Sequence, residues 1–258
     1  MNKKFLELAK KSKVIVIKVG SNILVNEKHV LRKKWLNSLI EDVKELQKRG
    51  SKIIIVSSGA IALGRNILSK KKLTNLHEKQ AAASIGQIQL SQQWQKAFAK
   101  LNIQSSQILI TAEDLNERRK YLNIRNTIYS LMDLNVVPII NENDTTSTEE
   151  IRFGDNDKLS AMIANALSAE LLILLSDVNG LYTANPKKSL QAKLITSVEE
   201  VDQQIEKYID KDLSEFGSGG MLAKINAAKL CIQSGSTMII SNGLVNNPLK
   251  KIDPQSST

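Results

Sequence analysis

The sequence predicts a doubly wound α/β protein, a mostly parallel sheet held between layers of helices. Three observations carry that expectation. Short runs of β-branched and leucine residues alternate with stretches whose apolar residues recur at helical spacing. Those runs are apolar throughout, as in strands buried on both faces. Their carboxyl ends open into glycine, serine, asparagine and aspartate, the edge where open parallel sheets bind ligands.

The elements follow in order. Val14 to Val19 (VIVIKV) reads as a buried strand, with Lys18 just before its exit into Gly20-Ser21-Asn22. A lysine at such a strand end is costly unless its ammonium meets water or an anion, and the glycine beside it lets backbone N–H groups approach a phosphate. The same lysine could simply snorkel to solvent. Residues 30–49 read as a helix ended by Gly50, and Lys52 to Val56 as a second strand, completing a βαβ unit. Ser57-Ser58-Gly59 then opens a helix over 60–68, either as an anion site or as an ordinary serine cap. Residues 70–79 read as a loop and 80–99 as an alanine-rich helix in which Gly86 permits close packing. Gln107 to Thr111 is a third strand, 118–134 a helix, and Val136 to Ile140 a fourth strand whose Pro138 argues against a plain central position.

The fourth strand feeds Asn141-Glu142-Asn143-Asp144, a polar loop, and then Gly154-Asp155-Asn156-Asp157 ahead of a helix. Such a collection can take amine donors or hold a divalent cation with its phosphates, or else be a solvated turn with Asp155 or Asn156 as helix cap. A fifth strand (170–175) ends in Ser176-Asp177, and Tyr182 to Pro186 suggests a loop able to wrap a planar ring, or a plain surface connection. Residues 199–209 read as a short helix. Phe216-Gly217-Ser218-Gly219-Gly220 precedes a helix carrying Lys224 in its first turns. This is a glycine-rich cradle on a helix N-terminus, or a flexible linker; neither the Walker A nor the dinucleotide spacing is present. A last strand (237–241) precedes a polar tail.

Composition narrows the field. A net charge of +10 favours anionic partners, yet lysine dominates, aromatics make up 4%, and the basic residues spread along helical faces, so a solvated surface fits better than a nucleic-acid site. The single Cys231 forbids an internal disulfide and lies in an apolar helical pattern. Two histidines and one cysteine speak against zinc. No apolar run approaches the roughly 18 residues of a membrane span, and the basic N-terminus lacks the apolar centre of a signal peptide. The expectation is a cytoplasmic protein with no membrane and no nucleic-acid partner.

Two lysines, two glycine turns and an Asp-rich loop at one sheet edge add up to a site for phosphoryl transfer, which needs positive charge along the moving group more than covalent help. The blocks VIVIKVGSNIL, IIIVSSGAIALGR, QAAASIGQ, VVPIINENDT, RFGDNDKLSA, LLILLSDVNGLYTANP and GSGGMLAKINAA, in this order over nearly the whole chain, resemble the amino acid kinase family. The NEND, GDND and GSGGM blocks are similar to those of the members that phosphorylate glutamate. The resemblance implies a three-layer α/β/α sandwich with a mostly parallel central sheet, as one domain over 1–258 without a PUA domain. Residues 12–170 would form its substrate part and 171–258 its nucleotide part.

It also implies roles. Lys18 and Lys224 would stabilise the phosphoryl group in flight, with Asp157 orienting them. Asp144 would accept the α-ammonium of glutamate, Ser58 and Asn156 would address its carboxylates, and Asp155 would support them. Ser176 and Asp177 would lie near adenine and ribose, while Ser218, Gly219, Gly220, Met221, Leu222, Ala223 and Lys224 would wrap the phosphates of ATP. Magnesium would ride on ATP oxygens, with no protein ligand firmly assigned. Ser176 stands where the family commonly has threonine, and Leu222-Ala223 where it often has Ser-Thr; neither departure removes a charge. Proline would be a feedback inhibitor, a glutamyl phosphate reductase a partner, and the assembly a dimer or tetramer. The competing readings are another small-acid kinase on this fold, a silent glutamate or proline sensor, and a basic nucleic-acid binder.

Overall fold

A computed structural model describes residues 1–70, 72–147, 156–184, 189–208 and 220–258. Helix α1 (Lys3–Lys11), capped by the Asn2 side chain, leads into β1 (Val14–Val19). A short α2 (Ser21–Leu24), then α3 (Lys33–Lys48), connect it to β2 (Lys52–Ser57). Helix α3 stops at Gly50, whose φ of 95° ends it with Gly50 N–H donating to Gln47 O and Ser51 N–H to Leu46 O. Helices α4 (Ala60–Ile67) and α5 (Leu76–Ala99) precede β3 (Ser105–Ile110). Next come α6 (Ala112–Asn116), closed by a Thr111/Asp114 capping box, α7 (Arg118–Asp133) and β4 (Val137–Glu142). Helix α8 (Asn156–Ala166), β5 (Leu171–Ser176), the hairpin of β6 (Leu181–Tyr182) and β7 (Leu194–Ile195), α9 (Gln203–Lys207), α10 (Met221–Gln233) and β8 (Thr237–Asn242) complete the order.

Six strands form one sheet in the order β3-β4-β2-β1-β5-β8, every neighbouring pair parallel. Alternate residues of the same strand feed opposite cores. Ile15, Ile17 and Val19 pack with Trp35, Leu39, Val43, Leu90, Trp94 and Phe98 from α3 and α5. Val16 packs with Ile128, Leu159, Ile163, Ala227 and Cys231 from α7, α8 and α10. The result is the expected three-layer α/β/α sandwich, and Cys231 is core filling, its thiol pushed up to about 12 by burial.

Helices α4 and α5 meet backbone to backbone. A Cβ on Gly86 would lie 1.9 Å from Ala60 O, and one on Gly64 would lie 1.7 Å from Ala82 O. Glycine is required at both crossings because no side-chain shift can relieve a clash with backbone. This contact ties the Ser57-Ser58-Gly59 turn to the middle of α5.

Several expectations change. Helix α5 begins at Leu76, not at residue 80, because Asn75 caps it by accepting from Glu78 N–H. Pro138 sits in a central strand after all. Val137 N–H donates to Gln104 O on the β3 side, so strand alternation turns position 138 towards β2, whose pairing with β4 begins only at Ile139. The missing donor therefore costs no ladder bond. The residues after β8 do not trail off. Leu249 and Ile252 are fully buried, Asp42 of α3 accepts from Leu249 and Lys250 N–H, and Ile240 and Thr258 exchange backbone hydrogen bonds. The 182–186 stretch is half β-hairpin: Tyr182 pairs with Leu194, Thr183 N–H donates to Lys193 O, and 185–186 lie outside the described residues.

Candidate active site

The polar residues gather where β1, β2, β4 and β5 end, as parallel strands emerging on one edge of the sheet dictate. Lys18 lies one residue short of the end of β1, on the face opposite Ile17 and Val19, only 7% exposed. Burying an ammonium there demands a counter-charge. Asp157 in the first turn of α8 supplies it, its Oδ1 standing 2.6 Å from Lys18 Nζ. The other carboxylate oxygen, Oδ2, accepts from Lys224 Nζ at 3.1 Å. Lys224 belongs to the opening turns of α10, which packs beside α8. Three residues from β1, α8 and α10, separated by more than two hundred positions in sequence, thus share one buried cluster.

Burial by itself would raise the pKa of Asp157, but the Lys18 and Lys224 ammonium groups outweigh it and hold the carboxyl below the usual carboxylate range. Two buried ammonium groups thus share one carboxylate of α8. The chain leaves β1 close beside this cluster, a Cβ on Gly20 lying 3.8 Å from Lys18 Nζ.

A second cluster lies alongside. Asn156, next to Asp157, donates through Nδ2 to Ser58 Oγ (2.7 Å), Asn141 Oδ1 (3.1 Å) and Ser57 O (3.3 Å). Its Oδ1 is buried and has no hydrogen-bond partner among the described residues. The serine-cap reading fails here: Gly59, with a φ of 111°, occupies the N-cap of α4 without a side-chain bond, so Ser58 is left to Asn156. Ser57 is pinned from behind, its Oγ accepting from Trp94 Nε1 at 2.9 Å.

Asp144 is buried just beyond β4, and desolvation pushes its carboxyl up to about 7. Glu142, the last residue of β4, is pushed up to about 7 as well, by burial first and then by the charge of Asp144. Among the described residues no cation meets either carboxyl, an arrangement that a ligand ammonium would improve.

On the nucleotide side, Ser176 is buried at the end of β5, its hydroxyl donating to the exposed Asp177 at 3.3 Å. Gly220 caps α10; Met221 is half-buried, Leu222 is exposed, and Ala223 and Lys224 are buried. Among the described residues no hydrogen bond or ion pair joins Ser176 or Asp177 to the lysine cluster. Asp155, Ser218 and Gly219 lie outside the described residues. Among the described residues no cluster of three or more carboxylates, imidazoles or thiols could hold a metal, and no helix is long and apolar enough to cross a membrane.

Sequence reasoning passed over Asn141, Glu142 and Gln87 as site residues. The first two stood inside a recognised polar block, so strand-end position could have singled them out. Gln87 lies in the middle of a long helix as the last residue of the QAAASIGQ block, to which no role was attached.

The fold and the site together define a parallel α/β protein with two buried lysines meeting one carboxylate at its strand ends. The model of the amino acid kinase family matches residues 13–242, and the chain belongs to that family. It is 52% identical over 244 residues to the glutamate 5-kinase of Pelagibacter ubique, covering 94% of this chain and 66% of that protein. It is 46% identical over 240 residues to that of Agrobacterium fabrum, covering 93% of this chain and 62% of the relative. The chain therefore spans just under two thirds of the length of these relatives. Among solved structures, the UMP kinase of Ureaplasma parvum superposes with a TM-score of 0.65 at 18% identity over 95% of this chain and 97% of that one. An isopentenyl phosphate kinase superposes with a TM-score of 0.64 at 17% identity over 92% and 94%. At such identities the likeness is one of fold.

Proposed function

We propose that the chain transfers the γ-phosphoryl group of ATP to the γ-carboxylate of L-glutamate, giving L-glutamyl 5-phosphate and ADP as the first step of proline synthesis. The observation that carries the reading is the Lys18–Asp157–Lys224 cluster, supported by the similarity to glutamate 5-kinases. In the transfer an oxygen of the glutamate carboxylate bonds to phosphorus as the bond to the ADP oxygen breaks. The attacking carboxylate is already ionised, so no general base is required. The protein's task is to align the partners and stabilise charge on the moving group. Lys18 and Lys224 supply that charge from two sides. Asp157 holds both ammonium groups in register, so little reorganisation is left for the moment of reaction.

Asp144 would receive the α-ammonium of glutamate, and Ser58 would address a carboxylate. The turn at Gly220 and the first N–H groups of Met221, Leu222 and Ala223 would face the nucleotide phosphates beside Lys224, with Ser176 and Asp177 nearer the base and ribose. Residues 12–170 would form the glutamate part and 171–258 the nucleotide part of one domain. The described carboxylates offer magnesium no cage, so the ion would arrive on the nucleotide, where it neutralises phosphate charge. Proline as a competitor at the glutamate site, self-association, a cytoplasmic setting and delivery of the acyl phosphate to a glutamyl phosphate reductase belong to the same proposal.

The test is ATP consumption dependent on glutamate and magnesium, with the product trapped by hydroxylamine as a hydroxamate. Faster turnover of aspartate, carbamate or uridylate than of glutamate would overturn the assignment.

A further inference from the structure

Behind the substrate residues runs a chain of hydrogen bonds with a single direction. Asn156 Nδ2 donates to Asn141 Oδ1 at 3.1 Å, Asn141 Nδ2 donates to Gln87 Oε1 at 2.8 Å, and Gln87 Nε2 donates to Ser91 Oγ at 3.2 Å. The Ser91 hydroxyl donates in turn to Gln107 Oε1 on edge strand β3. Side-chain amides present two nearly identical ends, so each link alone could run either way. The direction is set at the site end, where Asn156 also faces Ser57 O, a backbone carbonyl that can only accept. That contact requires Nδ2 on this side of Asn156. Asn141 must then answer with its oxygen, which turns its Nδ2 to Gln87 and requires the Gln87 oxygen there. The consequence falls on the far side of Asn156. Its Oδ1 is left over, buried and without a hydrogen-bond partner among the described residues. A buried orphan acceptor calls for a donor.

We infer that Gln87, outside the substrate site, is a positioning residue: through Asn141 it locks the amide of Asn156 so that its carbonyl oxygen accepts from the substrate's ammonium group. This rests on the glutamate reading above, and it revises the sequence-based assignment of Asn156 to a carboxylate. The Nδ2 group already faces three acceptors, whereas the acceptor atom has none of its own needs met. With Asp144 the site then offers an ammonium one charged and one neutral acceptor. The anchoring is firm because Gln87 is carried by the stretch of α5 next to Gly86, which the crossing with α4 fixes in place.

Two variants separate polarity from packing. Gln87→Leu keeps bulk but removes the acceptor for Asn141. Gln87→Glu keeps an acceptor towards Asn141, while the rotatable Ser91 hydroxyl can reverse to donate to the new carboxylate. The KM for glutamate should rise about tenfold in Gln87→Leu, the loss that one hydrogen bond to a charged group carries, with kcat, the KM for ATP and the melting temperature little changed. Gln87→Glu should recover most of it. An unchanged glutamate KM in Gln87→Leu, equal losses in both variants, or a parallel rise in the ATP KM would overturn the inference. A second readout needs no substrate. In wild-type protein the side-chain NH₂ protons of Asn141 and Asn156 should exchange slowly with solvent by NMR, and faster in Gln87→Leu. Exchange at free-amide rates in wild type would also overturn it. Should the protein not turn over glutamate at all, the functional reading fails, and the exchange measurement still decides the relay.

Discussion

Asp157→Asn isolates the contribution of the buried charge cluster. The change is nearly isosteric, so packing is conserved while the counter-charge disappears. In the native cluster the carboxylate oxygens stand 2.6 Å from Lys18 Nζ and 3.1 Å from Lys224 Nζ, and both lysines are over nine-tenths buried. Removing one member of such a set costs about 3–5 kcal/mol, because the carboxylate that both buried ammonium groups face is lost. For a chain of this size each kcal/mol moves the melting temperature by roughly 2–4 °C, so a fall of about 6–20 °C is expected by circular dichroism at neutral pH. Adding Lys18→Met to Asp157→Asn removes one of the two repelling charges and should restore much of the stability without restoring turnover. The kcat of Asp157→Asn should fall at least about a hundredfold, since misplacement by an ångström carries that penalty. A variant that melts within a degree or two of wild type, or a double variant less stable than the single, would refute the argument that Asp157 is the electrostatic hinge of the site.

Other outcomes follow from the same geometry. Lys224→Ala should lower kcat by a factor of about a thousand while glutamate binding changes little, because its charge is needed chiefly in the transition state; steady-state kinetics with both substrates checks the split. The value of kcat/KM for glutamate should rise through about pH 7 and level off, since Asp144 titrates near 7 in the free protein and must be ionised to take an ammonium; Asp144→Asn should bind glutamate poorly and flatten the profile. Stability without ligand should move the opposite way. A carboxyl whose folded value is raised above its unfolded one stabilises fully below about 4 and loses that contribution as pH rises through 7, so melting temperature should decline from pH 6 to 8, less steeply in Asp144→Asn. Gly86→Ala should cost about 3 kcal/mol or more by thermal melting, because its Cβ would lie 1.9 Å from a backbone oxygen and the helices would have to part.

Much of the fold was legible because its signals are local. The apolar runs matched the six strands to within two residues, since parallel strands buried on both faces leave no position for a polar side chain until they exit the sheet. The misjudged features depended on partners outside the local window. Pro138 looked unsuited to a central strand until the register showed its missing donor turned towards an unpaired stretch. The residues after β8 looked like a tail because Asp42, which anchors them, lies about two hundred positions earlier.

The candidate site divides the same way. The sequence by itself determined that lysines, serines and carboxamide and carboxylate side chains stand at strand exits and helix starts, because periodicity marks those exits and residue type is given. Only the tertiary structure decided that Lys18 and Lys224 meet on one carboxylate, since that depends on α8 and α10 packing side by side over β1. Only it gave Asn156 a fixed sense, through Gln87, whose block on α5 says nothing in sequence of what it faces. Linear order records what each residue can donate or accept; which atom faces which is settled when close packing leaves each buried polar group a single partner it can satisfy.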